Sequence, residues 1–154
     1  SSLVLQRIKL NYYIGITNMY SFKTKVRVRY AETDKMGFCY YGNYATYFEI
    51  ARVEALRNLG VSYKVLEDEG TFLPVSEFNV KYLKPAYYDD ELTIHVFIKE
   101  MPGVKIKFTY ETYNDKDEKL NFGDTVLVFI DGESKSPKRP PEKLIKELNK
   151  YIRL

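Results

Sequence analysis

The sequence predicts an α+β domain in which an antiparallel sheet of about five strands wraps around one long helix. Apolar and polar residues alternate at period two in several short runs, which is typical of half-buried strands. One run of helical length, Asn43 to Leu59, contains no glycine or proline and is apolar on nearly every face. A helix of this kind must be buried. A sheet curved around it would bury both elements together.

Turn sequences separate the predicted strands, the first of which runs from Lys25 to Tyr30. The alternating apolar residues are Val26, Val28 and Tyr30; Phe78, Val80 and Tyr82; Leu92, Ile94, Val96 and Ile98; Val104, Ile106, Phe108 and Tyr110; and Val126, Val128 and Ile130. Pro102-Gly103 and the run Asn114 to Asp117 are typical of tight turns. We therefore expect consecutive strands to pair antiparallel.

Sequence signals also mark the ends of three predicted helices. Asn43 is placed to cap the long helix, and Gly60 is placed to end it. A shorter helix is predicted at residues 62–69 and is closed by Gly70. A C-terminal amphipathic helix follows a basic loop that contains three prolines. Its apolar residues recur at helical spacing and are Leu144, Ile145, Leu148 and Ile152.

The length of 154 residues, 45% of them hydrophobic, suits a single domain. We expect residues 19–154 to form this domain. Residues 1–18 are expected to be an N-terminal extension or tag remnant outside the fold, because the first regular strand pattern begins after them.

Cys39 and His95 are the single cysteine and the single histidine. One cysteine excludes an internal disulfide, and the pair leaves too few ligands for a Cys/His zinc site, so no metal or other cofactor is expected. Apolar runs fall far short of the roughly 20 residues that a membrane-spanning helix needs. The expectation is a cytoplasmic protein without a membrane span.

The loop at residues 33–43, between the first strand and the long helix, is the strongest candidate for chemistry. A helix N-terminus presents unpaired N–H groups and a partial positive charge, which together can hold an oxyanion. Asp34 lies just upstream and can act as a base or nucleophile toward a carbonyl polarised there. The alternative is that Asp34 only accepts hydrogen bonds from loop N–H groups, as Asp does in turns.

The segment Arg29 to Tyr44, followed by Tyr47 to Arg52, resembles the signature of the 4-hydroxybenzoyl-CoA thioesterase family. The likeness continues in Lys81 to Asp90 and covers residues 23–139 in total. The resemblance implies a hotdog fold, in which the sheet wraps around the central helix. It also implies an enzyme that hydrolyses an acyl-CoA thioester to a free acid and coenzyme A.

The same resemblance implies two catalytic groups. Asp34 would act on the thioester carbonyl, either as the nucleophile or as the general base for water. The backbone N–H of Tyr41, at the start of the long helix, would polarise that carbonyl. Glu49 matches a position that faces the distal acyl group in some relatives; its alternative role is an ordinary helix charge paired with Arg52.

The other substrate contacts are inferred from position and charge. Relatives bind the phosphates of coenzyme A with arginines around the central hairpin, and this chain lacks that cluster. The candidate cations by charge and expected location are Lys105, Lys138 and Arg139. The candidate contacts near the loop and helix start are Gly37, Phe38 and Tyr44.

The expected partners are the acyl-CoA substrate and further copies of the same chain. A sheet of this kind leaves its edges and outer face exposed, which predicts a homodimer or homotetramer with pockets at the interface. The 24 basic and 21 acidic residues are interspersed, so no nucleic-acid partner is expected.

Two alternatives differ from this interpretation. Cys39 as a nucleophile would need a nearby base, and His95 falls on the polar side of a strand far along the chain, where a surface or interface position is expected. A non-catalytic hotdog protein would bind or sense acyl-CoA without hydrolysing it.

Overall fold

The computed structural model describes residues 2–6 and 18–152. Residues 2–6 form an exposed helical turn. The rest of the predicted N-terminal extension, apart from Asn18, lies outside the described residues, so its place outside the fold stays a prediction. Within the described ranges, no helix is long and apolar enough to cross a membrane.

The secondary structure follows the predicted order of elements. The elements are β1 (Tyr20–Arg27), a 3-10 turn (Tyr30–Glu32), α1 (Asn43–Asn58), α2 (Tyr63–Asp68), β2 (Thr71–Phe72), β3 (Val75–Tyr82), β4 (Glu91–Ile98), β5 (Lys105–Tyr113), β6 (Lys119–Val128), β7 (Ile130–Asp131) and α3 (Glu142–Leu148). The α+β class and all three predicted helices are confirmed.

Five strands form one antiparallel sheet in the order β1-β4-β5-β6-β3, and β2 pairs with β7 in a separate ribbon. The central helix α1 packs against β1 and β4. Its buried residues meet the inward-facing residues of the strands in one core; on α1 they are Tyr44, Tyr47, Phe48, Ala51, Arg52, Ala55 and Leu56. This is the hotdog arrangement that the family resemblance implies.

The expected pairing of consecutive strands is correct for β4–β5 and β5–β6 and wrong for β3–β4. Strand β3 pairs with β6, and β4 pairs with β1 instead. As a result β3 forms one open edge of the sheet, and its inward-facing Phe78 and Tyr82 remain 42% and 46% exposed. An open apolar edge of this length is suited to pairing with another strand.

The first predicted strand ends three residues early. Val28 N–H still donates to the Asp90 carbonyl, but Glu32 N–H then donates to the Arg29 carbonyl and closes a 3-10 turn. Tyr30 lies in this turn and is 80% exposed, so its predicted place on the inner strand face is wrong. The prediction extended the strand to Tyr30 because the period-two alternation of apolar residues continues into the exposed turn that follows the strand.

The predicted cap of the long helix is also corrected. Gly42, not Asn43, occupies the N-cap position of α1, and no side chain caps the helix there. Asn43 is the first helical residue, and its amide donates to the carbonyl of Glu32 instead. The predicted helix end is confirmed: Gly60 follows it with φ of +78°, a conformation that glycine adopts without strain.

His95 lies on the outer face of the sheet, as predicted, with its ring 4.0 Å from that of Phe97. Partial burial lowers its pKa, and the positive charge of Lys23 lowers it further, whereas Glu111 opposes the shift. The folded state therefore binds the His95 proton less tightly than the unfolded chain does. This group contributes stability that is present above the ordinary histidine pKa and lost as pH falls below it.

We expect His95→Gln to reduce the loss of stability on acidification. Between about pH 7 and pH 5, the range in which an ordinary histidine titrates, the variant should lose less unfolding free energy than the native chain. Urea denaturation at a series of pH values measures this. Lys23→Gln should also reduce the loss of unfolding free energy on acidification. If the unfolding free energy depends on pH identically in the native chain and both variants, His95 is not the group responsible.

Candidate active site

Residues 34–38 form a tight turn that fixes the backbone of Asp34. The Asp34 N–H donates to the carbonyl of Phe38 at 2.9 Å, and the Gly37 N–H donates to the carbonyl of Asp34 at 3.0 Å. Gly37 has φ of +82°, which a residue with a side chain adopts only with strain. Gly37 therefore allows the backbone conformation of this turn. Its predicted contact with the substrate stays a prediction.

The carboxylate of Asp34 is oriented by its own loop. One oxygen, Oδ1, accepts hydrogen bonds from the N–H groups of Met36 at 2.9 Å and Phe38 at 3.3 Å. Oδ1 therefore does accept hydrogen bonds from loop N–H groups, as the alternative interpretation of Asp34 expected. In the part of the chain that the structure describes, no donor reaches Oδ2. The loop thus holds the carboxylate in one orientation and leaves one oxygen available for chemistry.

The start of α1 presents a free backbone donor. The N–H groups of Asn43 and Tyr44 are already bonded to the carbonyls of Tyr40 and Tyr41. The N–H of Tyr41 has no acceptor among residues 2–6 and 18–152, while its carbonyl also accepts from the Tyr82 hydroxyl at 3.2 Å. The Tyr41 ring is 62% exposed. The peptide, not the ring, is the feature suited to bind a carbonyl oxygen.

Glu32 ties the Asp34 loop to α1, and sequence reasoning did not assign it a role. Its carbonyl accepts hydrogen bonds from Tyr40 N–H at 2.8 Å and from the Asn43 amide at 2.7 Å. Its Oε1 accepts from the Tyr47 hydroxyl at 2.9 Å and from Arg29 N–H at 2.8 Å. The only sequence signal was an acidic residue two positions before Asp34, which is equally typical of a solvent-exposed loop.

Cys39 lies inside this network and is not suited to be a nucleophile. Its sulfur is 3.5 Å from the Tyr47 hydroxyl. Burial raises the pKa of the Cys39 thiol, which keeps it protonated. The single imidazole, His95, lies on the outer face of the sheet and supplies no base here.

Phe38 and Tyr44 contact different aromatic side chains. Phe38 is half-buried, and its ring packs edge-on against Tyr87 at 5.6 Å. Tyr44 is buried, with its ring 5.6 Å from Tyr82 and 6.2 Å from Phe48. Phe38 can therefore reach a ligand from the surface, whereas Tyr44 is enclosed by other aromatic rings.

Glu49 lies on α1, eight residues after Tyr41, which corresponds to about 12 Å along a helix axis. Its side chain is exposed and, within the described ranges, takes part in no hydrogen bond or ion pair. Its alternative pairing with Arg52 is not formed, because Arg52 points into the protein and donates to the Tyr63 hydroxyl at 2.9 Å. Glu49 is therefore available to a ligand or to another subunit.

Lys105, Lys138 and Arg139 are not brought together with Asp34 in one chain. Lys105 pairs with Val128, and Lys138 N–H donates to the carbonyl of Phe129, so these cations lie at the sheet end near the start of β3. The Tyr41 peptide lies at the other end, beside Tyr82. The seven-residue span from Val75 to Tyr82 corresponds to about 23 Å of strand.

The match to known families decides the class of this site. A model of the Thioesterase superfamily matches residues 36–121, more than half of the chain. The chain belongs to the thioesterase superfamily. The family predicted from the loop signature and the enzyme class, thioester hydrolase, are thereby confirmed.

Individual relatives agree with this membership. The acyl-CoA thioester hydrolase YbgC of Escherichia coli O6:H1 is 32% identical over 126 residues, which cover 82% of this chain and 94% of YbgC. A solved DHNA-CoA thioesterase from Staphylococcus aureus superposes with a TM-score of 0.75 at 35% identity, covering 86% of this chain and 83% of that one. A solved 4-hydroxybenzoyl-CoA thioesterase has the same fold, with a TM-score of 0.75 at 19% identity over 83% of this chain and 98% of that one.

Proposed function

We propose that this chain hydrolyses an acyl-CoA thioester to a free acid and coenzyme A, with Asp34 and the Tyr41 peptide as the catalytic groups. One observation carries the proposal. Among the described residues, Asp34 Oδ2 has no donor and the Tyr41 N–H before α1 has no acceptor, and the hydrogen bonds of Glu32 connect the Asp34 loop to α1. Superfamily membership and the similarity to YbgC, an acyl-CoA thioester hydrolase, support the substrate class.

In the proposed reaction, the thioester carbonyl oxygen accepts a hydrogen bond from Tyr41 N–H. The partial positive charge of the α1 N-terminus stabilises the negative charge that develops on this oxygen. In the nucleophilic route, Asp34 Oδ2 bonds to the carbonyl carbon, the C–S bond breaks, and water then cleaves the acyl-aspartyl anhydride. In the general-base route, Asp34 takes a proton from water, and the water oxygen attacks the same carbon.

The leaving group is the thiolate of coenzyme A in both routes. A thiolate is a good leaving group at neutral pH, because the thiol pKa lies near that of cysteine, about 8.5. No additional proton donor is needed for the C–S bond to break.

A second copy of the chain would complete the binding site. Antiparallel pairing of two β3 edges across a two-fold axis places the start of β3 in one copy beside its end in the other. Lys105, Lys138 and Arg139 of the second copy would then approach the Asp34 end of the first. These cations could contact the phosphates of coenzyme A there.

Phe78→Lys tests this assembly, because Phe78 lies at the middle of the open β3 edge and is 42% exposed. Since its ring also packs 6.0 Å from that of Phe48, circular dichroism must first show that the variant is folded. We expect the native chain to sediment as a dimer or tetramer and Phe78→Lys to sediment mainly as a monomer with reduced turnover. Phe122→Lys is the matched control, since Phe122 is also exposed but faces outward on β6. A native monomer, or equal sedimentation of both variants, would contradict pairing through β3.

The function itself is tested by thiol release from aromatic and from short-, medium- and long-chain acyl-CoAs, with binding measured in parallel by calorimetry. Turnover of at least one class is expected. If acyl-CoAs bind and none is hydrolysed, the chain is an acyl-CoA sensor of the same fold.

A further inference from the structure

Two polar side chains are unpaired in the core beneath the start of α1. Thr112 on β5 and Asn121 on β6 are each 0% exposed. Within the described ranges, no hydrogen-bond partner reaches the Thr112 hydroxyl, the Asn121 side-chain oxygen or the Asn121 side-chain nitrogen. Buried polar groups in proteins are almost always hydrogen-bonded, because leaving water without a new partner costs free energy. These three atoms therefore need a partner that the surrounding side chains do not supply.

Thr112 and Asn121 lie side by side on the inner face of the sheet. They are directly opposite each other in the antiparallel pairing of β5 with β6. Residues in such positions have Cβ atoms about 4.5 to 5.5 Å apart. Tyr82 on β3 lies opposite Asn121, and Ile94 on β4 lies opposite Thr112. One small ligand can therefore contact both polar side chains at once.

This polar pair lies beside the two tyrosines that hold Tyr41. The carbonyl of Tyr41 accepts hydrogen bonds from the Tyr82 hydroxyl at 3.2 Å and from the Tyr44 N–H at 3.3 Å. Tyr82 is the direct neighbour of Asn121 in the sheet. Burial raises the pKa of the Tyr44 hydroxyl, and the Asn121 amide opposes this rise, so the amide lies close to that hydroxyl. Tyr44 and Tyr82 therefore connect the polar pair to the Tyr41 peptide.

The chemistry of the two side chains matches a ligand that both donates and accepts hydrogen bonds. The Thr112 hydroxyl and the Asn121 amide are uncharged, and each can act as donor and as acceptor. An ion at this position would be buried without a charged partner, which is unfavourable. Because both side chains are fully enclosed, the ligand must also be small. Water meets these conditions, and a buried water typically makes about three hydrogen bonds to polar groups that lack other partners.

We propose that Thr112 and Asn121 bind an internal water molecule beneath the start of α1, and that both act through it as positioning residues for the Tyr41 peptide. The water accepts a hydrogen bond from Asn121 Nδ2 and donates one to Thr112 Oγ1. It fills the space beside Tyr44 and Tyr82, so these rings keep the positions from which they hold the Tyr41 carbonyl. The positioning role rests on the function proposed above, whereas the water site does not.

A crystal structure that resolves ordered water tests the site directly. We expect a water within hydrogen-bond distance of Thr112 Oγ1 and of the Asn121 amide in the native protein. The same water should be lost or displaced in Thr112→Val, which removes one of its partners. A direct hydrogen bond between Thr112 and Asn121, or no density between them, would overturn the proposal.

The stability of Thr112→Val gives a second test, because the direction of the change depends on whether the hydroxyl has a partner. If water binds the hydroxyl, the unfolding equilibrium constant should rise about fivefold, as for the loss of one hydrogen bond. Thr125→Val is the calibration, since Thr125 is 1% exposed and its hydroxyl is paired with that of Tyr110 at 2.6 Å. Urea denaturation measures both variants. An unfolding constant that is unchanged or lower in Thr112→Val would show that the hydroxyl has no partner.

Kinetics test the positioning role separately. Thr112→Val should lower kcat about tenfold with little change in KM, because small displacements of a catalytic group are costly. Thr112→Ser keeps the hydroxyl and should retain most of the activity. Thr125 lies four residues beyond Asn121, or about 13 Å along β6, so Thr125→Val should leave kcat of the folded protein unchanged.

Equal losses of kcat in Thr112→Val and Thr125→Val would overturn the positioning role. If the native chain hydrolyses no acyl-CoA, the proposed function fails instead. The crystal structure and the urea measurements then still decide whether Thr112 and Asn121 bind water.

Discussion

Asp34→Asn is expected to lower kcat by at least about a hundredfold for the acyl-CoA that the native chain hydrolyses best, which is the usual contribution of a catalytic base or nucleophile. The variant amide keeps an oxygen that can accept from Met36 and Phe38 N–H, so the turn should stay folded. The other oxygen, Oδ2, is replaced by an NH₂ group that can neither attack the carbonyl nor accept a proton from water. Thiol release measures kcat, and calorimetry measures binding, which should be retained.

Asp131→Asn is the matched control for this experiment. Asp131 Oδ1 also accepts hydrogen bonds from loop N–H groups, those of Glu133 and Ser134, but it lies on the β2–β7 ribbon. Its replacement should leave kcat unchanged. If turnover persists in Asp34→Asn, the hotdog fold and the superfamily stand, and the assignment of Asp34 as the catalytic group is wrong.

Glu32→Ala is expected to lower kcat by about ten- to a hundredfold with little change in KM, since misplacing a catalytic group by about 1 Å can cost a hundredfold. The variant loses the bond from Oε1 to Tyr47, and with it one connection between the Asp34 loop and α1. Burial raises the pKa of Tyr47, so its hydroxyl keeps the hydrogen that this bond needs. Steady-state kinetics measure kcat and KM separately.

Conservative variants distinguish positioning from simple loss of folding. Glu32→Gln keeps an oxygen that can accept from Tyr47 and should restore most of the activity. Tyr47→Phe removes the same hydrogen bond from the other side, so the double variant with Glu32→Ala should be no slower than Glu32→Ala alone. Additive losses, or a loss of activity that matches a loss of folded protein by circular dichroism, would contradict a positioning role.

Local sequence was sufficient for most elements and for the hypothesis that the loop at residues 33–43 carries the site. The ends of α1 were predictable because Gly60 follows an uninterrupted apolar run, and helix length and burial depend on residues close in sequence. The inner faces of β4 and β5 were predictable because side chains alternate across a strand. The Asp34 loop could be proposed as the site from sequence because the signature from Arg29 to Tyr44 is contiguous.

The tertiary structure alone decided which distant segments meet. Period-two alternation predicts the face of a strand but not its neighbour, so the pairing of β3 with β6 and the open β3 edge were not predictable. The bonds from Glu32 to Tyr47 and from Arg52 to Tyr63 join residues that are 15 and 11 positions apart. Such contacts depend on how distant segments of the chain pack together, which local sequence preferences do not determine. The same is true of the separation of Lys105 from Asp34.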